Sequence, residues 1–159
     1  MIRLKLIIFI ILLSTSVYAQ SGKANGYILY GAATGEIFDD TNRLFASFEI
    51  RHQFVYDFCG LWAGADIAKL ERYFGGGAYF KFSFLKRFTA QFSIGPGLYY
   101  DRGGIKLGHK IEFRSQLGLF IDFYKKHLFG IALNHYSNSR LSKYNPGAES
   151  LKFLFGFPF

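Results

Sequence analysis

The chain has 159 residues, half of them hydrophobic and a fifth aromatic, with a formal net charge of +8. That length allows one domain, and so large an aromatic share is unusual in a small soluble protein. The single cysteine, Cys59, excludes an internal disulfide framework. No nucleic-acid module accompanies the positive charge, so no nucleic-acid partner is expected and an anionic membrane surface is the better match.

Residues 1–19 read as an export signal. Arg3 and Lys5 precede the apolar run Leu6–Leu13, and Val17-Tyr18-Ala19 offers a cleavage site before Gln20. The run is short for a spanning helix. Residues 20–159 then form one domain, which keeps a charge of +6 once Arg3 and Lys5 are gone. It holds no further apolar segment long enough to span a bilayer as a helix.

From residue 43 onward, apolar and polar residues alternate with a period of two. Leu44, Ala46, Phe48 and Ile50 oppose Ser47, Glu49, Arg51 and Gln53. Phe80, Phe82 and Phe84 oppose Tyr79, Lys81 and Ser83, and Phe88, Phe92 and Ile94 oppose Thr89, Gln91 and Ser93. Further on, Leu117, Leu119 and Ile121 lie opposite Glu112, Arg114 and Gln116. The pattern predicts eight strands, near 24–33, 42–56, 60–71, 74–85, 88–100, 109–124, 127–138 and 149–159. The first and third alternate least. Connections after strands two, four and six are tight; those after one, five and seven are longer, and the one after strand three is a short exception.

The apolar rows are bulky and nearly continuous, whereas the opposite rows mix charged, amide, hydroxyl and glycine residues. Lipid outside and a polar interior explain both. The expected fold is therefore all-β: an eight-stranded antiparallel transmembrane β-barrel, integral to a bacterial outer membrane, with both termini in the periplasm. Inside, Glu49, Arg51, Lys81, Glu112, Arg114 and Lys152 can pair, so that no charge is buried alone. A barrel of this size is filled by its own side chains and is not a pore. The in-step row Leu151, Phe153, Phe155, Phe157, Phe159 resembles the terminal assembly signal of outer-membrane barrels. Tyrosines such as Tyr27, Tyr56, Tyr73, Tyr99, Tyr100 and Tyr124 gather toward strand ends, as at membrane interfaces.

In strand seven the outward row Phe129, Ile131, Leu133 continues into His135 and Ser137; in strand eight it runs back from Phe159 to Glu149. If Leu133 pairs with Leu151 and Ile131 with Phe153, His135 faces Glu149 with side-chain roots ~5 Å apart. Ser137 follows on the same face, ~7 Å along the strand. Acid, imidazole and hydroxyl then stand in the order by which a carboxylate orients a histidine that deprotonates a serine. Ordinary interfacial polarity explains such residues equally well, and the alternation alone leaves both readings open. His52, His109 and His127 have no comparable serine and acid and read as structural. The histidines lack zinc-ligand spacing, so neither a metal nor another cofactor is implied.

The stretch "HYSNSRLSKYNPGAES" resembles the terminal signature of the lipid A 3-O-deacylase family, the PagL-type outer-membrane enzymes. His135, Ser137 and Asn138 match its first part; Asn145, Gly147, Glu149 and Ser150 match its second. The specific likeness covers the last quarter of the chain. It implies hydrolysis of the ester-linked acyl chain at the 3-position of lipid A, with Ser137 as nucleophile, His135 as base and acid, and Glu149 as its orienter. It also implies that the Asn138 backbone amide and Asn145 help organise an oxyanion site. The partners implied are lipid A within lipopolysaccharide and the surrounding outer-membrane lipids; the sequence leaves a homodimer open. Arg72, Arg102, Lys106, Lys110, Arg140 and Lys143 could hold lipid A phosphates or simply provide surface charge. The competing readings are a non-enzymatic small barrel (an adhesin or envelope-stability protein) and another envelope lipid enzyme, a phospholipase or acyltransferase.

Overall fold

A computed structural model describes residues 25–35, 43–53 and 58–159. The expected export signal and the connection after the first strand lie outside the described residues. Eight strands follow in order: β1 (Gly26–Gly35), β2 (Arg43–Gln53), β3 (Cys59–Ile67), β4 (Glu71–Phe84), β5 (Phe88–Asp101), β6 (Ile111–Asp122), β7 (Leu128–Ser137) and β8 (Ala148–Pro158). Each pairs antiparallel with its neighbour in sequence, and β8 returns to β1 to close a barrel. Closure leaves no sheet edge, which a strand protein needs in lipid, where unpaired backbone groups find no water. Phe159 completes the seam: its carbonyl accepts from the Asn25 and Gly26 amides at 3.0 and 3.2 Å, and its own N–H donates to Gly26 O at 3.1 Å.

The strands match the alternation closely. β3 differs most, stopping at Ile67 because Ala68–Leu70 turn the chain, with the Ala68 N–H donating to Glu71 O at 2.8 Å. At the end carrying the termini the fully described connections, β4–β5 and β6–β7, are tight, the second being a 3₁₀ turn at Tyr124–Lys126. The connections 102–110 and 138–147 are longer and sit at the opposite end.

Outward rows are exposed and apolar: Leu117, Leu119, Phe129, Ile131, Phe153 and Phe155 all face out. Inward, the middle of the barrel is an ionic network. Glu49 accepts from Arg114 at 2.7 Å, Arg51 at 2.8 Å and Lys152 at 3.2 Å, while Lys152 also reaches Asp66 at 2.7 Å. Arg51 further donates to Gln91 and Gln116, and the Arg114 guanidinium lies 3.6 Å from the Trp62 ring centre. The expected charge pairing therefore forms around Glu49, with two corrections. Asp66, on the poorly alternating β3, is a full member. Glu112 is not: its buried carboxylate has no hydrogen-bond partner among the described residues.

The interior is also less uniformly polar than the alternation suggests. Tyr27, Leu29, Phe120, Leu128, Ala132 and Leu154 form a buried apolar floor near the termini, and Trp62, Tyr73, Leu107, Tyr136 and Ala148 form another cluster. Inward glycines make room for the aromatics. A Cβ at Gly118 or Gly130 would stand 2.6 or 2.4 Å from the Phe120 ring, so that ring lies across both.

Candidate active site on the outer wall

β7 and β8 carry the site because their register places unlike residues side by side. Leu133 pairs with Leu151, Ile131 with Phe153 and His135 with Glu149, as the alternation anticipated. Asn134 and Tyr136, flanking His135, are buried in the lumen, so His135 points the other way, into the lipid-facing wall. Its Nδ1 and Glu149 Oε1 are 2.8 Å apart, with 48% of the imidazole and 35% of the carboxylate side chain exposed. A hydrogen bond at Nδ1 leaves Nε2 free for proton transfer.

Ser137 ends β7 on the same face, half-buried, opposite Phe113 of β6. Its hydroxyl makes no hydrogen bond among the described residues, so the structure joins His135 to Glu149 and places Ser137 beside them without linking it. Below His135 and Glu149 the outward wall continues as Leu133, Leu151, Ile131 and Phe153, with Phe113 level with Ser137.

The 138–147 connection is held by Asn138, whose side chain is fully buried. Its Nδ2 donates to Leu107 O and Tyr144 O, both at 2.8 Å, fastening this loop to the one between β5 and β6. Its backbone N–H donates to Asn145 Oδ1 at 3.0 Å. The amide that the sequence reading offered to an oxyanion is thus engaged in this conformation, and Asn145 is fixed beside Ser137 through the same bond. Ser150 faces the lumen, accepting from Asn134 Nδ2 at 3.3 Å.

Gly147 has a φ of +74°, and a Cβ there would stand 3.0 Å from His135 Cε1. Its place in the motif thus has two causes: a left-handed backbone and a ring packed against its face. The other described histidines are elsewhere, with His127 Nδ1 against Tyr124 O at 2.7 Å, His109 Nδ1 against its own loop and His52 stacked on Phe159. Among the described residues no cluster of His, Cys, Asp or Glu could hold a metal ion. On the β5–β6 side of Ser137 the wall has an open hollow of about 820 Å³, lined by Leu98, Tyr100, Lys106, His109, Lys110 and Ile111.

Fold and site together define a small outer-membrane barrel with a polar cluster on its lipid-facing wall. The chain belongs to the lipid A 3-O-deacylase (PagL) family, whose sequence profile matches residues 26–158. It is accordingly an outer-membrane enzyme of the lipid A deacylase class. Solved structures with a similar fold include the outer membrane enzyme PagL, at 15% identity and a TM-score of 0.64, covering 84% of this chain and 99% of that one. A de novo designed transmembrane β-barrel matches at 10% identity and a TM-score of 0.59, covering 88% and 100%. The Yersinia pestis outer membrane protein Ail matches at 14% and 0.56, covering 86% and 100%. No curated protein sequence matches the chain.

Proposed function

We propose that this enzyme removes the 3-position acyl chain of lipid A by a serine esterase mechanism carried by Ser137, His135 and Glu149. The observation that carries this reading is the 2.8 Å His135–Glu149 pair, turned toward lipid with Ser137 next on the same face. His135 Nε2 takes the Ser137 proton as Oγ attacks the ester carbonyl. The 3-hydroxyl of the sugar leaves, receiving that proton back, and the acyl group remains on Ser137. Water, deprotonated by the same imidazole, then releases the fatty acid. Glu149 holds the ring by Nδ1 and stabilises the imidazolium formed in each half-reaction. The Ser137–His135 contact closes when substrate arrives, as catalytic hydrogen bonds commonly tighten on binding.

The developing oxyanion requires a preorganised donor. Asn145 Nδ2 fills this role, its amide oriented by the bond to the Asn138 N–H, while Asn138 acts by fixing the loop. Lys106 and Lys110, in the adjoining hollow, meet a substrate phosphate. The scissile ester of a lipid lies just below the headgroup, where the outward row turns from leucine and phenylalanine to histidine and serine. Substrate therefore arrives by lateral diffusion, without entering the barrel. Residues 1–19 serve as the export signal that delivers the chain.

The test is mass spectrometry of lipid A incubated with the refolded barrel. One hydroxyacyl group should be lost, and Ser137→Ala should lower kcat by at least ~10⁴-fold while keeping the heat-modifiable mobility of a folded barrel. Undiminished turnover by that variant would reject the serine assignment. A chain gained by lipid A would mean acyl transfer instead.

A further inference from the structure

A second hollow on the outer wall lies away from His135 and Ser137. It has a volume of about 450 Å³ and sits where β4 meets β5, at the barrel end opposite the termini. Arg72 pairs with Tyr100 and Phe74 with Leu98, all four on the outward row. Tyr100 stands edge-on to Phe74, their ring centres 6.4 Å apart. Lys69, in the β3–β4 turn, and Arg102, just past β5, complete the rim. The Arg102 N–H donates to Leu70 O at 2.8 Å, which ties the two rim segments together.

None of the Lys69, Arg72 and Arg102 side chains has an ion pair or hydrogen bond among the described residues. The nearby acids are otherwise engaged: Glu71 points inward and pairs with Arg43, and Asp101 caps the Gly103 and Gly104 amides. Three uncompensated cations therefore crown a trough of Phe74, Leu98 and Tyr100. The order of chemistry, charge at the rim and hydrocarbon beneath, is that of an amphiphile standing upright in the leaflet. Two guanidiniums favour a phosphate monoester, which accepts bidentate pairs and carries more charge than a diester.

We infer that the Lys69–Arg72–Arg102 groove binds a phosphate-monoester lipid of the outer leaflet as a second site, separate from the molecule being hydrolysed. Strand spacing of ~4.8 Å places the β4–β5 seam ~10–14 Å around the wall from Ser137 on β7. The Leu98–Tyr100 row stands between this groove and the hollow beside Ser137. The lipid held here packs at the flank of the enzyme and does not approach His135. The inference is independent of the serine assignment, since it requires no turnover.

Native mass spectrometry of the refolded full barrel, with phosphatidic acid as the probe, tests it. One phosphatidic acid should be retained with at least tenfold tighter Kd than phosphatidylcholine of the same chains. Arg72→Ala with Arg102→Ala, both surface changes, should bring the two lipids within about twofold. Lys125→Ala with Lys126→Ala, at the opposite rim, should leave the preference intact. On a Ser137→Ala barrel carrying a single lipid A, phosphatidic acid should still add as a ternary complex. Equal retention of both lipids by the native chain, or an undiminished preference in the Arg72/Arg102 variant, overturns the inference. So does exclusion of phosphatidic acid from the barrel carrying one lipid A, which would make the groove part of the substrate site.

Discussion

His135 is fixed from two directions: Glu149 holds Nδ1, and Gly147 lies flat against the Cε1 side of the ring. A methyl group at 147 would have to push the imidazole aside and would add a left-handed strain of ~1 kcal/mol. Gly147→Ala is therefore expected to lower kcat at least tenfold while the barrel keeps its heat-modifiable mobility and its secondary-structure spectrum. Full activity in that variant would mean the ring tolerates movement and is not held by this contact. The parity of the motif was readable from the sequence: odd positions of β7 face lipid, so His135 and Ser137 had to share a face. The engagement of the Asn138 N–H by Asn145 was not readable, because it depends on how ten loop residues fold back on themselves.

At the scale of elements, the β4–β5 turn breaks the usual chemistry of its type. Leu85 and Lys86 both have positive φ, at 48° and 44°, within the three-residue connection between the paired Phe84 and Phe88. Such positions favour Asn and Gly, since a side chain in the left-handed region is strained. Leu85→Asn combined with Lys86→Gly should raise unfolding stability by about 1 kcal/mol, seen as a later urea midpoint in detergent. An earlier midpoint would show that the Leu85 side chain contributes more through membrane contact than its backbone costs. The turn's position, but not its type, was legible: "LKR" marks a tight connection, while the positive φ values follow from the twist of the strands it joins.

For the whole molecule, the ionic network is the central feature of the interior. Glu49 and Asp66 face Arg51, Arg114 and Lys152, so one carboxylate serves three cations. Removing one partner of a buried set leaves uncompensated charge, and Glu49→Ala should cost ~3–5 kcal/mol, measured by urea unfolding of the detergent-refolded barrel. A change below 1 kcal/mol would mean that water enters the lumen and screens these charges. The site hangs on this interior, because Lys152 and Asn134 share strands with Glu149 and His135 and point the opposite way.

Periodicity by itself determined the strand count, the lipid-facing rows and the face shared by His135, Ser137 and Glu149, whereas the β7–β8 register was a supposition until the structure paired His135 with Glu149. The first three follow from a local rule, the two-residue repeat of a strand, which needs no knowledge of distant residues. Only the tertiary structure decided that Asp66 joins the network, that Glu112 stays outside it, that Phe120 lies across Gly118 and Gly130, and that Asn138 locks two loops together. Those outcomes depend on which strands the closed barrel brings face to face across its lumen, and on the volumes left there. No stretch of alternation encodes either quantity.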